Sequence, residues 1–441
     1  MSVLLLSTYD LGRQPAGLAS AAAWLRHAEF EVVTCDLSRD RLDEPAARVA
    51  SVIAIYLPMH TATRLSIPVI RRIRQLNPTA SIAAFGLYAP LSASLLRQEG
   101  VEHVLGPEAY ADLVDIAAGR APSNSRGAGR PAARRLPVMV PDRSSLPGLG
   151  RYASLLMPDG SMRVAGATDA THGCKHRCRH CPIVPVYDGH FRAVPVEVVL
   201  ADVAQQIAAG AEHITFGDPD FFNGPTHARR IVERLHAAYP NVSYDVTIKV
   251  EHLIKHRDLL PMLAHTGCLF VTSAVESLDD DVLAKLEKGH TRADFFAAVG
   301  LCQDAGLRMA PTFVAFTPWT TRDGFADLLD SVAALDLVEH VEPVQWGLRL
   351  LVTEGSRLLE LDDIRTLVAP FDPRTLTYPW RHASPEIDAL QQSIMTLVGT
   401  RMTRPRRELF DEVRALAGLD ALRWTLLSRS AIPYLNEPWY C

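Results

Sequence analysis

Short apolar runs, each long enough for one buried strand and each followed by a stretch with helical spacing, recur along most of this 441-residue chain. That alternation constrains the fold most, because strands buried on both faces pair in parallel and need a helix to bring the chain back to the same edge. Residues 3–7, 31–35, 52–57, 81–85 and 102–105 form a first series. They predict a doubly wound parallel sheet of the Rossmann type over residues 1–118. Residues 162–170, 213–217, 243–250, 269–276, 308–316 and 344–351 form a second series, which predicts an open (β/α)6 partial barrel over residues 150–357. The clearest helix lies at 195–210, with Pro195 in its first turn, Val196, Val199, Leu200, Val203 and Ile207 on one face, and Gly210 at its stop.

The remaining segments read differently. Residues 119–149 are assigned as a linker, because 119–137 interleave Arg120, Arg126, Arg130, Arg134 and Arg135 with Gly, Pro, Ala and Ser and contain no acidic residue. Residues 358–441 read as a helical region broken by Pro370, Pro373 and Pro379, with Arg401, Arg404, Arg406 and Arg407 on a solvated face. A net charge of −5 gives no sign of a nucleic-acid partner. No apolar run approaches the ~20 residues that cross a bilayer, and the start lacks the basic flank of a signal peptide. A cytoplasmic location is expected.

Ligands of α/β sheets and barrels bind beyond the carboxyl ends of the strands, so the chemistry is sought there. In the first series those ends carry Asp10-Leu11-Gly12-Arg13, Pro58-Met59-His60-Thr61 and Gly86-Leu87-Tyr88. His60 alone is more often a hydrogen-bonded loop residue than a ligand. After the first barrel strand, residues 171–183 read THGCKHRCRHCPI and place Cys174, Cys178 and Cys181 within eight residues. Three such thiolates can converge on one soft metal centre. A structural zinc site completed by His172, His176 or His180 is the plainer reading, although no second cysteine arm follows. A disulfide framework fits poorly with seven cysteines and a reducing compartment. Cys268 and Cys302 sit in apolar surroundings and read as core residues. Thr247-Ile248-Lys249-Val250-Glu251 forms a polar cluster at the end of the third barrel strand, where a cofactor carboxylate or ribose can be held. Trp319 reads as an adenine shelf or substrate wall, and Arg349 needs an anion from the fold or from a ligand.

The Cys-x-x-x-Cys-x-x-Cys spacing resembles that of the radical S-adenosylmethionine superfamily. The resemblance implies a [4Fe-4S] cluster on Cys174, Cys178 and Cys181, whose fourth iron is chelated by S-adenosylmethionine. It also implies an electron donor such as flavodoxin or ferredoxin and reductive cleavage of a carbon–sulfur bond, usually giving a 5'-deoxyadenosyl radical. Phe216, Gly217, Asp218 and Pro219 look like a variant of the family's Gly-Gly-Glu-Pro motif, with Phe216 in place of the first glycine and Asp218 as the acid. Glu276 and Ser277, with residues 285–291 (KLEKGHT), are similar to Val-Glu-Ser and Lys-Gly-His-Thr stretches of the subgroup that carries a cobalamin domain. The resemblance puts Glu276 and Ser277 on the cofactor's ribose or methionyl part. Read from the residues alone, Glu276 is equally a partner for Lys249 or Lys288.

The N-terminal sheet resembles that subgroup's cobalamin-binding domain, which makes cobalamin an implied third cofactor. No histidine precedes His27, so the Asp-x-His-x-x-Gly motif that supplies an axial ligand is absent and no histidine is expected on the cobalt. The other reading of the sheet is a docking or substrate-recognition domain. Leu11 to Pro15, the stretches 312–321 and 343–351, and the ending Pro438-Trp439-Tyr440-Cys441 resemble a narrower family with CUAEP or CCAEP tails. By that likeness an in-frame UGA after Cys441 is expected to encode selenocysteine; a UAA or UAG codon there would sink the idea. Cys441 is then a candidate catalytic thiol, set against an inert chain end. The expected activity is radical modification of a small molecule or peptide, with cobalamin-dependent methylation as the natural subtype. Transfer of a 3-amino-3-carboxypropyl group to a soft atom such as arsenic is the rival chemistry, and a non-catalytic zinc scaffold is the rival class.

Overall fold

The computed structural model describes residues 2–122, 138–400, 404–422 and 433–436. Arg126, Arg130, Arg134, Arg135, Arg401 and Cys441 lie outside the described residues. The first sheet contains β1 (Ser2–Ser7), β2 (Glu31–Asp36), β3 (Val52–Tyr56), β4 (Ser81–Phe85) and β5 (His103–Val104), all parallel, in the order β2-β1-β3-β4-β5. Alternate residues feed two cores. Leu4, Leu6, Ile53, Ile55 and Ile82 pack on one face, and Val3, Leu5, Val52, Ala54 and Phe85 on the other. Burial on both faces is why these strands appear in the sequence as unbroken apolar runs. The order reverses between β1 and β3, which opens a crevice at their carboxyl ends.

The second sheet is built from β6 (Ser154–Leu156), β7 (Met162–Thr168), β10 (His213–Phe216), β11 (Ser243–Thr247), β12 (Cys268–Glu276), β13 (Arg308–Phe313) and β14 (Tyr434–Leu435), in the order β13-β12-β11-β10-β7-β6-β14. Strands β7, β10, β11, β12 and β13 are parallel and curl into the partial barrel, while β6 runs antiparallel to β7 and β14. Between β7 and β10 the chain adds a hairpin, β8 (Thr171–Gly173) and β9 (Phe191–Ala193), with the cysteines in the loop that joins them.

The sixth barrel unit departs from expectation. Pro343–Gly347 forms a 3-10 helix, and sheet pairing is reduced to one parallel bridge between Phe316 and Arg349. Pro343 lacks the N–H a ladder needs, and the buried Gln345 takes the strand's place by accepting the Phe313 N–H at 2.9 Å. Arg349 finds its anion within the fold: it donates to Asp388 at 2.7 Å and to the Trp380 carbonyl at 2.6 Å, and lies 3.5 Å from the centre of the Trp380 ring.

Two stretches outside the sheets pack against them. In the later part of the assigned linker, Arg143 is buried and donates to both oxygens of Asp202 at 2.7 and 2.9 Å, to Gln14 at 3.0 Å and to the Ala167 carbonyl at 2.8 Å. It joins the first sheet's β1 loop to β7 and to the helix Val196–Ala208. Helices Pro385–Thr400 and Arg406–Ala417 close the far side of the barrel, where Trp346 and Phe410 meet with ring centres 5.2 Å apart. Arg406 and Arg407 pair with Glu342 and Glu339 and are mostly covered; of the three described arginines, only Arg404, paired with Glu408 and Glu412, is as much as 36% exposed. The carboxylates of 339–342 turn inward beneath the helix and draw the two guanidiniums with them.

Candidate active site

The cysteine loop is held from below by the strand that follows it. Asp218, buried beyond β10, accepts the Ala170 N–H at 2.8 Å and the Thr171 hydroxyl at 2.6 Å. Asn223 accepts the Lys175 N–H and donates to the Gly173 carbonyl, each at 3.2 Å. Gly173 has φ +80°, and a Cβ there would lie 2.5 Å from the Tyr187 ring and 2.6 Å from the His190 carbonyl, so the turn into the loop requires glycine. Arg179 ties the loop's far side to the Leu286 and Lys285 carbonyls.

Cys174, Cys178 and Cys181 are all free thiols; the first two are buried and the third is half-buried. Burial pushes Cys174 up to about 11 and Cys181 up to about 12, so a metal that takes the thiolates must displace their protons. Lys249 places its ammonium 3.9 Å from the Cys178 sulfur, a counter-charge for such thiolates.

Glu276 closes the loop from the other side. A register shift between β12 and β13 at Ala274 to Glu276 turns the chain so that Glu276 stands at φ +70°. Its carboxylate lies 3.2 Å from His180 Nε2, inside the cysteine motif, and 3.3 Å from the buried Lys288 ammonium. Burial pushes the carboxyl up, but Lys288 and His180 outweigh it and hold the group at about 2. Of the two lysines weighed from sequence, Lys288 is the partner; Lys249 instead pairs with Glu251 at 3.6 Å. The Ser277 hydroxyl accepts the Asp279 N–H at 3.1 Å and lines a separate cleft with Arg292 and Thr321. The Trp319 indole donates to Asp363 at 2.8 Å.

The residues of the Gly-Gly-Glu-Pro variant divide by role. The Phe216 side chain belongs to the core, tilted against Phe221 and edge-on to Tyr244. A Cβ on Gly217 would lie 2.4 Å from Asp169, so the backbone passes close under that carboxylate. Burial and the neighbouring Asp169 raise the Asp218 carboxyl to about 7, and both its oxygens are spent on the loop rather than turned toward a ligand. Pro219 reaches the cleft described next.

That cleft, of roughly 270 Å³, lies where the two sheets face each other. From the first sheet it is lined by Leu11, Gly17, Tyr56, Phe85, Gly86 and Tyr110, and from the barrel by His172, Gly217 and Tyr187. Glu108 crosses it, 3.2 Å from His172, 2.8 Å from Arg192 and 2.8 Å from the Tyr187 hydroxyl. Its walls set Tyr56, Phe85 and Tyr110 beside Asp10, Arg13, Gln14 and Asp169 at a strand switch point, a mixed lining that could hold a cofactor with both a ring and polar side groups, such as cobalamin. Among the described residues the first sheet sends no histidine into it: His60 donates instead to the Thr375 carbonyl at 2.6 Å. Sequence reasoning missed Glu108, Asp169 and Arg143, because single charged residues in loops carry no pattern. His180 and Lys288 lay inside stretches already singled out.

Comparison with known proteins agrees with this geometry. The Radical SAM superfamily model matches residues 169–330. The tRNA-2-methylthio-N(6)-dimethylallyladenosine synthase of Fusobacterium nucleatum subsp. nucleatum is 26% identical over 182 residues, 37% of this chain. The match spans 39% of that relative's length, so this chain covers about two-fifths of it. The radical S-adenosylmethionine methyltransferase TsrM from Kitasatospora setae, with cobalamin and a [4Fe-4S] cluster bound, is similar with TM-score 0.65 and 16% identity over 94% of this chain and 99% of that one. The cobalamin-dependent S-adenosylmethionine radical enzyme OxsB, with aqua-cobalamin and S-adenosylmethionine bound, is similar with TM-score 0.67 and 12% identity over 95% of this chain and 71% of that one. Residues 169–330, which carry the cysteine loop, match the Radical SAM superfamily model, and together with the N-terminal parallel sheet they are similar in fold to these two solved structures.

Proposed function

We propose that this chain is a radical S-adenosylmethionine enzyme whose cluster is carried by Cys174, Cys178 and Cys181, and that it transfers a methyl group to a small molecule or peptide with the help of cobalamin. The observation that carries the reading is the cleft between the sheets. Residues flanking the cysteine loop, Thr171 to Gly173 and Ile183, share its wall with the β1, β3 and β4 loops of the first sheet. A group seated against the first sheet therefore lies beside whatever the cysteine loop holds.

Bound there, cobalamin would supply a nucleophilic or methyl-donating metal centre. This chain's own residues do the rest. Lys249 and Lys288 balance negative charge at the thiolates, and Glu276 fixes Lys288 and His180 in place. Tyr56, Phe85 and Tyr110 line the cleft and would exclude water from a cofactor seated in it. The test is anaerobic: reconstituted protein is passed through gel filtration with added cobalamin, then reduced with S-adenosylmethionine present. Retained cobalamin and formation of S-adenosylhomocysteine support the reading. Cluster-dependent 5'-deoxyadenosine with no cobalamin retained refutes its methyl-transfer part, and absence of both products refutes the whole.

A further inference from the structure

Behind the cysteine loop, His176, Asp220 and His252 bring three ligating atoms within 4.8 Å of one another, the one such group among the described residues. Each comes from a different part of the barrel. His176 stands between Cys174 and Cys178, Asp220 lies on the loop after β10, and His252 is on the helix Val250–Lys255. The Asp220 side chain is fully buried and that of His252 is 1% exposed. One carboxylate oxygen, Oδ1, is taken by backbone, 3.2 Å from the Phe222 N and 3.5 Å from the Lys249 N. The other, Oδ2, faces His252 Nδ1 at 2.5 Å and His176 Nε2 at 3.5 Å. All three facing atoms are buried and none meets hydrogen-bond geometry, so what holds them together without a metal is ion pairing of Asp220 with the two imidazoles when these are protonated. Buried polar atoms that converge without well-formed hydrogen bonds are costly unless something else satisfies them.

We propose that His176 Nε2, His252 Nδ1 and Asp220 Oδ2 bind one divalent transition-metal ion, zinc being the probe of choice, at a site separate from the cluster. Two imidazoles and one carboxylate suit zinc or ferrous iron. Glu251 stands 3.6 Å from His176 Nδ1, where a carboxylate orients a metal-bound imidazole. An ion there fastens the cluster loop to the β10 loop and to the helix after β11. It also spreads the His252–Asp220 contact from 2.5 Å toward the roughly 3.3 Å that tetrahedral ligands keep. The inference does not rest on the proposed methyl transfer.

The full-length protein, purified without oxygen and dialysed after zinc loading, is examined by metal analysis and zinc X-ray absorption. About one zinc per chain with a nitrogen and oxygen shell near 2.0–2.1 Å and no sulfur is expected. A sulfur shell near 2.3 Å, or no zinc retained, overturns the proposal. Asp220→Asn and His252→Gln are expected to weaken zinc binding at least tenfold, whereas Cys174→Ala removes iron and leaves zinc in place. Zinc that leaves with the Cys174→Ala change would overturn the proposal, whereas unaltered protein that binds zinc but no iron would count against the cluster alone.

Discussion

Replacing Glu276 by Gln keeps the size of the side chain and removes its charge, leaving the Lys288 ammonium buried without its carboxylate. The 3.3 Å separation gives an attraction of about 5 kcal/mol at an effective dielectric near 20. Holding the carboxyl at about 2, against an ordinary value of 4.5, corresponds to about 3 kcal/mol. Breaking one partner of a buried pair costs about 3–5 kcal/mol, so about 3 kcal/mol is expected for the metal-free protein. Cys178 and Cys181 also act on Lys288, so once the thiolates are ionised on a cluster they supply part of the missing negative charge. The loss should then be smaller. Urea unfolding of the metal-free variant and anaerobic unfolding of the cluster-loaded variant measure both values. A loss under about 1 kcal/mol in the metal-free protein would show that the pair does not hold the loop.

Other perturbations address separate parts of the account. Arg143→Met strands the Asp202 carboxylate, whose side chain is 2% exposed, and should cost about 3–5 kcal/mol in urea unfolding; a change below about 1 kcal/mol would mean the two sheets are not braced there. Gly173→Ala forces a Cβ 2.5 Å from the Tyr187 ring at φ +80°, and iron content after reconstitution should fall several-fold; unchanged iron would remove the turn from the cluster's requirements. Gly86→Val places a Cβ 2.7 Å from the Leu57 carbonyl at φ +115° and shifts the cleft wall, so cobalamin retention should drop while iron content holds. Equal loss of both would mean general unfolding instead.

The sequence made the parallel sheets legible because burial on both faces demands unbroken apolar strands. Leu4 and Leu6 serve one core and Val3 and Leu5 the other, which removes the alternation that would have marked an exposed face. The same logic misread the first half of 344–351: Pro343 and the Gln345 side chain turn Pro343–Gly347 into a 3-10 helix, and strand pairing survives only in the bridge at Arg349. The cysteine triad was legible as a short-range pattern. The orientation of Glu276 was not, because it depends on a register shift between two strands that are distant in sequence. Asp218 illustrates a further limit: the motif marks the loop after β10, but the sequence does not show that tertiary contacts commit both carboxylate oxygens to Ala170 and Thr171. Arg406 and Arg407 read as solvated because the sequence does not reveal that Glu339 and Glu342 lie beneath their helix.

The central claim is that three cysteines hold an iron–sulfur cube with one iron left for S-adenosylmethionine. Iron-57 Mössbauer spectroscopy of the anaerobically reconstituted protein, before and after adding S-adenosylmethionine, addresses it most directly. The account requires about four irons per chain, one of which changes its signal on addition while the other three do not. A protein that holds no iron, or a cluster whose irons all ignore S-adenosylmethionine, would contradict it.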